Sequence, residues 1–212
     1  MPFGYIGQNQ TKQKIKNSGV LSSFDVSLLE KKGQAGGSLE LIEEQTISGT
    51  VAQVDFTSIQ QSKYDVHLLI LSNILTETNN KRASIRFFES GVIETGSVYQ
   101  TANQVGTAGG TFSEVNNTSS NDIRITDNTG NDTGESSNIY VYCYNLGNSA
   151  KYSFVTCQSV GTDGTPTAFM EFGGGVLPQA STVDGIRVLG NGSQNLTGGN
   201  LKLYGVKQLW VL

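Results

Sequence analysis

The chain has 212 residues, a formal net charge of −4, 26 glycines and only 15% charged residues, enough for one sandwich-sized β domain with an appendage or for two small domains. Low charge with abundant Gly, Ser, Thr and Asn disfavours an all-α fold, and a pI near 5.0 gives no general basis for binding phosphate backbones, so no nucleic-acid partner is expected. No apolar run reaches the length of about 18 residues that a spanning helix needs, and residues 1–20 lack an apolar stretch behind a basic head; the reading is a protein without membrane insertion, made and folded in a cytoplasm.

In chain order, residues 1–21 have neither helical nor strand periodicity, only scattered apolar anchors at Phe3, Tyr5, Ile6, Ile15, Val20 and Leu21. They read as an extended arm whose anchors engage a partner and order on binding it. Lys12, Lys14 and Lys16 precede any acidic residue, which fits a solvated arm or one lying on an acidic surface. Ser22 and Ser23 then offer an N-cap, Asp25 favours the positive end of a helix, Phe24, Val26, Leu28 and Leu29 supply an apolar stripe, and Gly33 a stop, so one short helix is predicted near 23–32. Three glycines between Gly33 and Ser38 mark a hinge, dividing an anchoring arm, 1–38, from a β domain, 39–212.

Beyond the hinge, strand candidates recur with turn signals between them: Leu39–Ile42, Gln45–Phe56, Tyr64–Ile74, Ala83–Glu89, Val92–Tyr99 and Thr111–Val115, then Asp122–Thr126, Asn138–Leu146, Lys151–Val160, Thr167–Phe172, Gly185–Leu189 and Asn200–Leu209. This spacing predicts a mostly β fold, a jelly-roll-like antiparallel β-sandwich. Tyr64–Ile74 is the longest apolar run and reads as a central strand covered on both faces. Pro2, Pro166 and Pro178 fall outside strand interiors, and Asn116–Asn121 and Asp127–Glu135 read as exposed loops.

His67, the only histidine, lies inside that strand and is expected to be a hydrogen-bonded structural residue, since no second imidazole accompanies it to form a metal cluster or triad. Cys143 and Cys157 share a hairpin. A turn centred on Gly147–Ala150 sets Cys143 opposite Phe154 and Cys157 opposite Tyr140, on opposite faces and unable to bond. Asp127–Glu135 fails the calcium-loop template, with Thr129 in its third position and Asp132 where glycine makes the turn. Phe172–Val176 lacks the Lys-Ser/Thr of a phosphate loop, and its glycines fit a close backbone approach. No metal or cofactor is expected, and Glu43 and Glu44, adjacent on a strand, point apart rather than forming an acid pair, so no enzyme is read here. Tyr140, Tyr142 and Tyr144 alternate with Ile139, Val141 and Cys143. Such a ladder either packs within its own sheet or stacks on sugars or another subunit. Trp210 is expected to anchor the last strand or an oligomer contact.

Several stretches carry a family resemblance: Gly4-Tyr5-Ile6-Gly7, Lys16–Ser22, Gly36–Thr46, Asp55–Ile59, Tyr64–His67, Phe172–Ala180 and Leu203–Lys207. Together they resemble small virion structural proteins of tailed bacteriophages, the marine cyanophage-like group in particular, and the likeness is weakest from Gly91 to Asn138. The closing segment Leu201–Val206 is similar to the last strand of β domains on phage fibre and particle-surface proteins. The resemblance implies a non-enzymatic virion protein, tail- or fibre-associated, whose arm contacts other virion proteins while the β domain, in a homo-oligomer, is displayed for host attachment. A capsid decoration (cement) protein is the alternative. A carbohydrate-binding module acting on host surface glycan, through the tyrosine ladder or the Asp127–Glu135 loop, is a reading from a different class.

Overall fold

The computed structural model describes residues 23–31 and 37–207; the arm anchors Phe3, Tyr5, Ile6, Ile15, Val20 and Leu21, as well as Pro2 and Trp210, lie outside them. The chain divides into one unit comprising Met1–Ser38 with Leu209–Leu212 and another, Leu39–Gln208. In the first, α1 (Ser23–Lys31) has Asp25 in its first turn and Lys31 in its last, each opposite in sign to the nearer helix pole. Phe24 and Val26 on it are exposed. No helix among the described residues is long and apolar enough to cross a membrane.

The second unit is an antiparallel β-sandwich. Its strands are β1 (Leu39–Ile47), β2 (Gln53–Phe56), β3 (Val66–Thr76), β4 (Ala83–Glu89), β5 (Val92–Ile93), β6 (Tyr99–Thr107) and β7 (Phe112–Ser120). They continue with β8 (Ile123–Arg124), β9 (Ser137–Tyr144), β10 (Ser153–Thr162), β11 (Ala168–Leu177), β12 (Val183–Gly190) and β13 (Leu196–Val206). One sheet has eight strands in the order β1-β13-β3-β9-β10-β11-β6-β7; the other runs β2-β12-β4-β5, with β8 also on β4. The chain crosses repeatedly between the sheets, and one core joins them: Leu69, Val141 and Leu203 from the first and Phe56, Phe87 and Ile186 from the second are fully buried.

Where the sequence reading and the structure differ, the reasons are local. β1 runs unbroken to Ile47 with a bulge between Leu41 and Glu43, and the chain then changes sheets, so Leu39–Ile42 and Gln45–Phe56 are not the two strands expected. β6 was not foreseen beyond Tyr99 because its inward residues include Thr101 and Asn103, buried yet polar. Asn116–Asn121, read as a loop, largely belongs to β7, an edge strand whose polarity suits solvent. The core run begins pairing at Val66, with Tyr64 buried just before it. β3 is an interior strand between β13 and β9. Both of its faces are apolar because the sandwich covers Leu69 and Leu71, while Tyr142 and Tyr204 flank Leu68 on the other side.

The glycine run lies inside β11, not after a strand. A Cβ on Gly173 would sit 2.4 Å from the Ala102 carbonyl oxygen, on Gly174 2.1 Å from that of Val155, and on Gly175 2.6 Å from that of Gln100. These contacts are with the ladders of β6 and β10, so side chains are excluded by backbone that cannot move without breaking sheet hydrogen bonds. Gly174→Ala is therefore expected to lose about 1–3 kcal/mol or more, whereas Gly49→Ala, with open space around its Cβ position, stays near wild type; urea unfolding of both decides.

Candidate recognition surface

The pleat gives the eight-stranded sheet two chemically opposite faces. On β9, Ile139, Val141 and Cys143 are buried between the sheets while Tyr140 is exposed and Tyr142 and Tyr144 are half-buried on the outside. Pairing extends each tyrosine into a row across the sheet. Tyr140 lies between Ile70 and Gln158, and its row continues to Phe172 and Gln104. Tyr142 lies between Leu68 and Thr156, followed by Gly174 and Ala102. Tyr144 lies between Val66 and Phe154, followed by Val176 and Gln100. The middle row is small where β10, β11 and β6 carry it, so Thr156, Gly174 and Ala102 floor a furrow between the ridges formed by Phe172 and Phe154.

The ridge residues are open to solvent: Phe154 and Phe172 are each 45% exposed, Tyr140 43% and Val160 55%. The Tyr140 hydroxyl donates to Gln158 Oε1 on the neighbouring strand at 2.5 Å, and the Tyr144 hydroxyl lies 3.2 Å from Thr156 Oγ1. These cross-strand bonds tether both hydroxyls to β10. Tyr142 and Tyr144 have near-parallel planes, 23° apart with centroids at 6.4 Å, while Tyr140 meets Tyr142 edge-on at 76°. The ladder thus packs within its sheet and still presents its ring surface.

Beside Tyr140 the sheet opens into a hollow of about 300 Å³, lined by Ile70, Ser72, Asn138, Tyr140, Gln158 and Val160 among others. A bulge in β3 makes room for it. Pairing with β9 jumps from Leu71 to Ile74, Asn73 adopts a φ of 55°, and its N–H donates to Asn138 Oδ1 at 3.0 Å.

Under this face, the inward residue between Met170 and Phe172 is Glu171. Its carboxylate accepts from Arg124 Nε at 2.7 Å, and Arg124 Nη2 donates to Asp127 Oδ1 at 2.5 Å. Asn103 Nδ2 also donates to Glu171. Burial pushes the Glu171 carboxyl above its ordinary pKa against the pull of Arg124. Arg124, on β8, pairs through that strand with β4, so this ion pair ties the two sheets together. The Asp127–Glu135 segment is a loop between β8 and β9 but only partly exposed: Asn128 and Asp132–Gly134 are open to solvent, whereas Thr129, Gly130 and Glu135 are buried, Gly130 N–H donates to the Thr162 carbonyl, and Glu135 Oε2 accepts from Asp132 N–H. Its carboxylates at 127 and 135 are engaged internally, which removes them from a sugar site there.

The cysteine register also needs correction. Tyr144 pairs with Phe154, so Cys143 faces Val155 and Cys157 faces Val141. Both point inward, as diagonal neighbours rather than on opposite faces, and both are free. Burial pushes each thiol up to about 12. His67 is fully buried, with Nε2 2.8 Å from the Ile59 carbonyl oxygen, to which it donates as the neutral imidazole. Burial holds its pKa below the ordinary value.

Of the expected contact residues, Tyr140, Tyr142 and Tyr144 are brought together here and Trp210 lies outside the described residues. Phe154, Phe172, Met170 and Val160 were missed. The alternation of β10 was legible as Phe154, Thr156, Gln158 and Val160; what the sequence lacked was the register that sets them beside the tyrosines. No protein-family profile, curated protein or solved structure matches this chain.

Two outcomes follow from the buried groups. Arg124→Met strands the Glu171 carboxylate and is expected to cost about 3–5 kcal/mol, most of it regained in the Arg124→Met/Glu171→Met double variant; denaturant titration of the set checks this. His67 contributes stability that is complete above the unfolded imidazole pKa of about 6.5 and declines as pH falls below it toward the lowered folded pKa, because the unfolded chain takes the proton first. His67→Gln keeps an Nε2 donor for Ile59, so the melting temperature of wild type relative to this variant should drop between roughly pH 6.5 and 5 and stay level above that range.

Proposed function

We propose that this chain is a non-enzymatic bacteriophage virion protein, tail- or fibre-associated, that attaches through residues 1–38 and displays its β-sandwich for host attachment. The observation that carries this reading is the outer face of the eight-stranded sheet, where exposed aromatic rings and amides sit on a rigid ladder with no charged residue across β3, β9, β10, β11 and β6. A contiguous surface of this kind marks a place of contact. The likeness of Gly36–Thr46 and Phe172–Ala180 to tailed-phage particle proteins supports the virion setting.

Binding rather than catalysis suits the way the ionisable groups are used. His67 serves the Ile59 carbonyl, and Glu171 and Asp127 serve Arg124. Copies repeated as a homo-oligomer on a symmetric particle add avidity, so each contact with a host surface glycan can be weak. Capsid decoration is the alternative reading, with residues 1–38 as a strap and the sandwich as the displayed domain.

Deleting residues 1–38 is expected to leave a folded β domain that no longer joins particles. Unchanged incorporation moves the anchor into the sandwich. Copies located on the tail by cryo-electron microscopy support attachment; copies over the shell support decoration.

A further inference from the structure

We propose that the outer face of the eight-stranded sheet binds an uncharged polysaccharide, with one sugar against Tyr140 in the hollow beside β3 and the chain continuing over the furrow floored by Thr156, Gly174 and Ala102. This rests on reading that face as the recognition surface.

Charge selects the ligand class. Charges border this area without entering it: Lys202, opposite Ile70 on β13, is held by Glu44 of β1 at 3.5 Å, and Glu114 on β7 lies opposite Gln104, while Arg187 and Asp55 form a part-buried bidentate pair at 2.7 Å on the five-stranded sheet. Between β3 and β6 the outward positions hold only apolar, aromatic, amide and hydroxyl groups. Soluble surfaces ordinarily devote about a quarter or more of their residues to charge, so a charge-free area across five strands disfavours an anionic or cationic partner, which would leave its charges unpaired on binding.

Geometry then selects among neutral ligands. Sugars present apolar C–H faces and equatorial hydroxyls, and they are held by flat rings with amides at the ring edge. Tyr140 supplies an exposed ring held in place by the bond from its hydroxyl to Gln158, and Asn138, Ser72 and Gln158 supply polar groups around the hollow. The alternative occupant, a second copy packed face to face, needs about 800 Å² from each partner. Five strands spaced about 4.8 Å and three rows spaced about 6.8 Å offer roughly 500 Å² in projection, short of that requirement but ample for an oligosaccharide.

The test is native affinity electrophoresis of the full chain in gels containing dextran, galactomannan or a soluble β-glucan, with dextran sulfate as the charged comparison. Retardation is expected in at least one neutral polymer, unchanged between roughly 50 and 500 mM salt because no ion pairs are involved. Tyr140→Ala should weaken it about tenfold or more, while Tyr140→Phe, which keeps the ring, stays within about threefold. Tyr140→Ala must retain the wild-type melting transition to within a few degrees; if it does not, Val160→Glu, which puts a charge at the rim of the hollow without removing a ring, replaces it and should abolish retardation. Migration unaffected by every neutral polymer overturns the proposal, as does retardation by dextran sulfate alone or wild-type retardation of a folded Tyr140→Ala or, in its place, of Val160→Glu. Concentration-dependent dimerisation in sedimentation, abolished by Phe154→Ser, overturns it in favour of a second copy. Particle incorporation is scored on the same proteins: protein present in virions but blind to glycans fails only this inference, whereas glycan binding by a protein absent from virions fails only the virion reading.

Discussion

The close backbone approach at Gly173, Gly174 and Gly175 is the constraint on which the rest depends. β11 joins the β9–β10 hairpin on one side to β6 and β7 on the other, and it does so with carbonyl oxygens standing where side chains would begin. A side chain at any of the three would press on the backbone of β6 or β10. The same absence of side chains makes the floor of the furrow, so the residues that close the sheet also shape its outer surface.

Glycine alone does not hold β11 in place. The residues just before the run send Phe169 and Glu171 inward and Met170 and Phe172 outward. Glu171 meets Arg124 from the opposing sheet, an arrangement that adds directional hydrogen bonds to a core otherwise held by non-directional burial. Removing a charge from water is costly, and the cost is offset here by donors from both Arg124 and Asn103. The interior is thus polar at one end and apolar elsewhere, while the outward positions of β3, β9, β10, β11 and β6 are uncharged, with charged residues only on the flanking strands, at Lys202 and Glu44 on one side and Glu114 on the other.

Much of the fold was legible locally. β4 was read with the bounds it has, and β9 and β10 were recognisable from strict alternation, because period two is a property of the strand itself. β6 was not, since alternation is invisible when the buried positions include Thr101 and Asn103, the latter bonded to Glu171 and to the Arg124 carbonyl. The glycines of β11 carry no strand propensity, and only the neighbours pressing on both sides reveal why they belong in one.

The candidate site divides along the same line. By itself the sequence determined that the chain makes antiparallel β structure, that Tyr140, Tyr142 and Tyr144 share one face of a strand, and that His67 stands without a second imidazole, because each follows from composition or from spacing along one segment. Tertiary structure alone decided which strands lie side by side. The β9–β10 connection is centred on Ser149, one register step from the turn the sequence indicated, and that single step carries Cys143 and Cys157 onto the same inner face and Phe154 beside Tyr144. Register is fixed by the sum of contacts across the sheet, so a furrow built from β10, β11 and β6 exists only once all three have paired.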